Sequence, residues 1–266
     1  MTPIPIDDPD DPRLHAYTRM RERDLVGREG RFIAEGEVVL RVLLSPRARF
    51  RVESVLVSPE RLPGLAPVLA GLDAPVYLAS KTVMGAVAGF PIHRGVLAVG
   101  SRGPDPAPDA LVPAGPALLL GLVGLSNHDN VGGLFRNAAA FGADAVLLDA
   151  ETCDPLYRKA IRVSAGTSLT VPFARLPAGD DLLALCERQS LTPVALSPRG
   201  EDIGGLPPLP RALLMLGTEG PGLPEALMAR ARRVAIPMAP GVDSLNVAVA
   251  GAVALHRLGG KRLAGP

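Results

Sequence analysis

The stretch ALLLGLVGLSNHDNVGGLFRNAAAFGADAVLLD, residues 117–149, decides the fold class. It opens on an almost unbroken apolar run, Ala117 to Gly124, the pattern of a strand buried on both faces. A second such run closes it, from Ala143 to Asp149. Between them Val131, Leu134, Phe135, Ala138 and Ala139 recur at helical spacing, with Gly142 suited to the C-terminal stop. Asp129 or Asn130 is placed to cap the helix. Strand, helix and strand in that order predict a unit of an α/β sheet.

The same alternation continues to the C-terminus. A helix is expected over 181–189, a strand over 192–197, a strand over 211–217, a helix opening with Pro224, a strand over 233–238 and a last apolar helix. This predicts a mainly parallel sheet covered on both faces. Upstream, SRGPDPAPDALVPAGP (101–116) is dense in Pro and lacks an apolar period. It reads as a linker, dividing a domain over 1–104 from one over 117–266, with 105–116 between. The first region carries a helix over 35–45, buried strands over 52–58, 75–80 and 95–100, and a short helix over 80–89 capped by Ser80, a small α/β unit.

The bulk numbers exclude several classes. In 266 residues, 47% are hydrophobic, enough for a sizeable core built from Leu, Val and Ala. Net charge is +1, so no global field draws nucleic acid. Lys occurs only at 81, 159 and 261. Cys153 and Cys186 share no metal-ligand spacing and no disulfide framework, which fits a reducing cytoplasm and no metal. The opening MTPIPIDDPDDPR is acidic and unlike a signal peptide. The apolar runs are too short or broken to span a bilayer.

On open parallel sheets, ligands gather outside the carboxyl ends of the strands. Three junctions stand out there. GLSNHDNVGGLFRN (124–137) carries Asn130 and Arg136, the latter off the apolar stripe. MLGTEGPGLPEAL (215–227) is a Gly-rich turn with an embedded Glu219, and it lacks the Lys-Ser/Thr of a P-loop and the GxGxxG fingerprint. IPMAPGVDSLNVAVAGAVAL (236–255) holds an apolar helix with Asp243, Ser244 and Asn246 bunched at its N-terminus. Ser244 or Asp243 suffices as a cap, which leaves Asn246 unexplained in the first turn.

Taken together and in this order, NVGGLFRNAAAFGADAVLLD, LGTEGPGL and IPMAPGVDSLNVAVAGAVAL resemble the three motifs of the SpoU (TrmH) RNA ribose 2′-O-methyltransferases of the SPOUT superfamily. The likeness covers 117–258. More faintly, RFIAEGEVVLRVLL (31–44) and HRGVLAV (93–99) resemble the accessory L30e-like substrate-binding domain of such enzymes, with Arg94 where Gln is expected before Gly95. The resemblance implies a SPOUT-type parallel sheet with a C-terminal deep trefoil knot, preceded by the smaller L30e-like α/β domain. It implies S-adenosylmethionine held by Leu216, Gly217, Gly222, Ile236, Met238 and Leu245. Arg136, Asn130, Glu219, Ser244 and Asn246 become the catalytic set, with Ser244 and Asn246 both capping the helix and facing the reacting groups. It further implies an RNA partner, ribosomal RNA ahead of transfer RNA, and a homodimer through the knotted domain. Arg19, Arg21, Arg23, Arg28 and Arg31 are candidates for phosphate contacts, although Glu22, Asp24 and Glu29 interleave as on a solvated face. The alternatives are a SPOUT base methyltransferase and a non-catalytic RNA-binding or ribosome-assembly factor.

Overall fold

The computed structural model describes residues 2–18, 22–176 and 182–263, with the backbone alone over 22–24 and 260–263. The chain divides into two units, Met1–Pro104 with Leu156–Thr170, and Asp105–Pro155 with Val171–Pro266.

The first unit holds a mixed sheet of β1 (Ile4–Pro5), β2 (Arg31–Glu35), β3 (Arg51–Val57), β4 (Val76–Leu78) and β5 (Val96–Ser101), ordered β1-β4-β3-β5-β2. β5 runs antiparallel to both β2 and β3; the other pairs are parallel. Ser80 caps the helix Lys81–Ala88, its Oγ accepting from Val83 N at 3.2 Å. The helix Leu62–Leu69 was not legible in the sequence because Gly64 and Pro67 interrupt it. Nor was the excursion 156–170, whose helix Arg158–Val163 is under two turns long. It is anchored within this unit. The Arg158 guanidinium lies 3.9 Å from the Phe90 ring centroid and 3.7 Å from the buried Glu35 carboxylate.

The second unit is a sheet of six strands, β6 (Ala117–Leu122), β7 (Ala145–Leu148), β8 (Phe173–Arg175), β9 (Thr192–Asp202), β10 (Arg211–Leu216) and β11 (Arg232–Ala235). Their order is β11-β9-β10-β6-β7-β8, and every pair is parallel, as the apolar runs predict. The central pair is in register from Arg211↔Ala117 to Leu216↔Leu122, so β6 and β10 end level at one edge. Leu119, Leu147, Leu213 and Met215 are fully buried, and each such side chain contributes roughly 1.5–3 kcal/mol.

Helices His128–Ala140 and Val247–Leu263 pack closely, because Gly133 faces Ala248 and a Cβ on Gly251 would stand 2.5 Å from Leu134. Asn137 Nδ2 donates to Ala248 O at 2.7 Å and fixes their register. Two ends differ from expectation. β9 runs on to Asp202 to pair with β11, and the helix after Pro224 stops at Ala229 because Arg232 and Arg233 enter β11. The Pro-rich segment is docked on this unit. Asp109 accepts from Gln189 Nε2 at 2.8 Å and from Arg188, whose guanidinium holds its carboxyl below the usual range.

Candidate active site at the carboxyl edge of the parallel sheet

Beyond Leu216 the chain must turn sharply to enter the helix Glu225–Ala229. Gly217 and Gly222 allow it. A Cβ on Gly217 would lie 2.3 Å from the Gly222 carbonyl carbon, and Gly222 adopts φ +73°. Thr218 and Gly222 form a single bridge, Gly222 N donating to Thr218 O at 3.1 Å. The result is a wall of backbone rather than of side chains.

That wall borders a cavity of about 370 Å³, within the size of small-molecule sites. Leu216, Gly217, Gly222, Ile236, Met238 and Leu245 all line it, as do Glu219, Ser244 and Asn246. Sequence reasoning missed Leu196, Ser197 and Pro198, which also line it. They sit where β9 leaves the main ladder, a fourth junction at the same edge. Among the described lining residues Glu219 is the one charged group.

Three side chains from three junctions meet at Glu219. Asn246 Nδ2 donates to Glu219 Oε1 at 2.9 Å and to Asn130 Oδ1 at 2.9 Å, while Asn130 Nδ2 donates to Glu219 Oε1 at 3.1 Å. A carboxylate only accepts, so both amides turn their NH2 groups toward it, which leaves the Asn130 oxygen for Asn246. Asn130 is buried, and its polar atoms are matched within this triad.

The caps agree with expectation at Asn246 and differ from it at Asp243, Ser244, Asp129 and Asn130. Asn246 caps the last helix, its Oδ1 accepting from Ala248 N at 2.9 Å and Val249 N at 3.3 Å, because the helix starts only at Val247. Asp243 and Ser244 lie too far upstream to reach those amides, and Ser244 faces the cavity instead. Likewise Asn127 caps the earlier helix, accepting from Asp129 N at 2.8 Å, since that helix begins at His128. Arg136 does not join the triad. It is exposed, and among the described residues it has no hydrogen-bond or ion-pair partner.

Among the other expected groups, Arg31 is spent on Glu53 and Glu29, its Nε donating to Glu53 at 2.8 Å. Arg28 is exposed. Arg19 and Arg21, and the side chain of Arg23, lie outside the described residues. Cys153 is a thiol rather than a thiolate, pushed up to about 12 by burial and by Asp154. No group of three or more His, Cys, Asp or Glu among the described residues could hold a metal, and no described helix is long and apolar enough to cross a membrane.

Residues 117–256 match the model of the SpoU rRNA Methylase family. An uncharacterized tRNA/rRNA methyltransferase of Mycobacterium tuberculosis is 40% identical over 94% of this chain and 89% of its own length. One from Synechocystis is 31% identical over 86% and 83%. A crystal structure described as an RNA 2′-O ribose methyltransferase is 28% identical, with a TM-score of 0.81 over 98% of this chain and 100% of that one. The methyltransferase AviRb of Streptomyces viridochromogenes, solved with AdoMet, shares the fold at 22% identity, with a TM-score of 0.83 over 96% and 100%.

Proposed function

The chain belongs to the SpoU rRNA methylase family, and on that premise we propose that it transfers the methyl group of S-adenosylmethionine to a ribose 2′-hydroxyl of structured RNA. The observation that carries this reading is the cavity itself. Its walls are backbone and apolar side chains, which suit an adenosine. Among the described residues its one charged lining group is a carboxylate, which suits a sulfonium and repels a polyphosphate. The fit favours Leu216, Gly217, Gly222, Ile236, Met238 and Leu245 as its holders.

When bound, the cofactor supplies an electrophilic methyl carbon. The protein's own residues must then orient the attacking oxygen. The Asn130–Glu219–Asn246 triad fixes the cavity rim, and Ser244 beside it faces the ribose. The Arg136 guanidinium presents five donors and no acceptor. We assign it to the phosphate next to the target ribose, where it orients the hydroxyl while the phosphate or a water takes the proton. Glu219 accepts two amide hydrogens and orders the loops. The 2′-hydroxyl selects RNA over DNA, with ribosomal RNA as the preferred class and the first unit, L30e-like, as the reader.

Arg136 stands outside the triad, which supports a site completed by a second copy of the chain. Val242, Leu245, Val249 and Val253 are large exposed apolar residues within one segment, and Val249 and Val253 share a helix face. We assign that face to a homodimer of knotted domains. Replacing both with Glu should convert a dimeric elution to a monomeric one in light scattering; an unchanged mass would remove this face from the interface. The cofactor reading is tested by calorimetry. S-adenosylmethionine should bind and raise the melting temperature while ATP does neither, and the reverse selectivity would end it.

A further inference from the structure

We propose that Asp149, Thr152 and Arg175 are positioning residues for methyl transfer, acting through the backbone of Gly124 and Leu125. The inference rests on the methyltransferase reading for its kinetic arm only.

The segment Val123–Asn127 leads from β6 into the helix that carries Asn130 and Arg136. It belongs to no ladder beyond Val123, whose N donates to Leu216 O at 2.9 Å. Side chains from the β7 junction hold the rest. Asp149 Oδ2 accepts from Gly124 N at 2.9 Å, and Thr152 Oγ1 accepts from Leu125 N at 3.2 Å. Cys153 N returns a bond to Leu125 O at 2.8 Å. Asp149 Oδ1 in turn accepts from Thr152 N at 2.8 Å and lies 2.6 Å from its hydroxyl. Arg175, at the end of β8, closes the junction from outside, its Nη1 donating to Asp149 O at 2.5 Å and Thr152 O at 2.9 Å. Thr152 is buried, so water does not replace a lost partner there.

The clamp reaches the cavity rim by two routes. Leu125 is two residues before the Asn127 cap, which sets where the helix starts and hence where Asn130 stands. Gly124, at φ +69°, packs so tightly that a Cβ there would lie 2.9 Å from Thr218 Cγ2, next to Glu219 in the chain. A shift of this backbone therefore moves both ends of the Asn130–Glu219 bond. None of the three clamp residues lines the cavity, so their loss should leave cofactor contacts in place while disturbing alignment.

The test compares Thr152→Val with Thr152→Ser in the full chain. Transfer of labelled methyl to unmodified total RNA is read at saturating cofactor, and cofactor affinity by calorimetry. The Asn130 and Asn246 side-chain amide resonances and the Leu125 amide exchange rate are read by NMR. Thr152→Val should lower kcat on the order of tenfold, leave cofactor Kd within about twofold, speed Leu125 exchange and shift both Asn resonances. Thr152→Ser should restore all of these. A merely structural Thr152 would lower the melting temperature without moving kcat per folded molecule or the Asn resonances, and that result overturns the proposal. So does a Ser variant as impaired as Val at equal folded fraction. If Thr152→Val does not fold, Arg175→Lys, which keeps charge and loses the double carbonyl contact, should show the same pattern more weakly, and unmoved Asn resonances there overturn it. Wild-type protein that methylates no RNA contradicts the methyltransferase reading, and the NMR arm still decides the clamp.

Discussion

The loop after β10 and the loop after β7 leave the same edge of the same parallel sheet, yet they are built in opposite ways. After β10, glycines fold the backbone back on itself and leave a cavity beside it. After β7, Asp149 and Thr152 spend their side-chain oxygens on neighbouring backbone, and Arg175 from the end of β8 donates to that loop's carbonyls. The first loop turns its groups to a cavity; in the second, Asp149 and Thr152 are bound to the backbone that leads from β6. A polar residue at the carboxyl edge is thus no sign of a site until its lone pairs and protons have been accounted for. Arg136 and Arg175 make the point at the level of one side chain. Among the described residues one guanidinium has no partner, and the other donates to three carbonyls.

Substitutions sharpen that contrast, beginning with the largest effect. Arg136→Ala should lower methyl transfer by a hundredfold or more, on the order of the loss expected for misplaced reactants, with cofactor affinity unchanged. Arg136→Lys should retain measurable activity if placing a charge on phosphate is enough; if it is as inactive as Ala, bidentate geometry is required. Next comes the glycine wall. Gly217→Ala puts a methyl 2.3 Å from the Gly222 backbone, and overpacking of roughly 1–3 kcal/mol corresponds to about a five- to 140-fold weaker cofactor Kd. Unchanged affinity in calorimetry would show that the wall yields.

Asn246→Ala should cost both activity and about 0.5–2 kcal/mol of stability, the loss typical of an N-cap. Asn246→Asp separates the two. It still caps, but it sets a carboxylate against Glu219, so the melting temperature should hold better than activity. Equal loss of both would mean that the triad serves stability alone. The smallest effect concerns Cys153 in the closed loop. Its thiol ionises near 12 when folded and near 9.0 otherwise. The stability from keeping it neutral is complete below pH 9, and is lost as pH rises toward 12. Cys153→Ala should flatten that part of a melting-temperature profile by a few degrees at most. A profile identical to the parent's would show that the thiol carries none of the alkaline loss.

The parallel sheet was legible because buried parallel strands read as unbroken apolar runs, as at Ala117–Leu122 and Arg211–Leu216. The triad members were legible one junction at a time, since Asn130, Glu219 and Asn246 each follow a strand end. Their mutual bonds were not, because 89 and 116 residues of chain separate Asn130 from its two partners. The cap readings Asp129 or Asn130 and Asp243 or Ser244 fall two or three residues from the true caps, because several polar residues in succession offer the same chemistry and only the true helix start chooses. β9 was cut short because Pro198, Arg199 and Gly200 break its apolar pattern. The excursion 156–170 stayed hidden for a different reason. RKAIRV is half charged and too short to show a period, and it is held by Arg158 on Phe90 and Glu35, contacts that no periodicity reveals.

On this reading the cavity and its triad serve transfer to a ribose. Labelled methyl from S-adenosylmethionine, offered with unmodified total RNA, size fractionation and alkaline digestion, tests it most directly. Alkali-resistant dinucleotides carrying label are the expected result, in the ribosomal fraction ahead of the transfer RNA fraction. Label confined to base nucleosides would contradict the ribose assignment, and no label in any fraction despite bound cofactor would contradict transfer to free RNA.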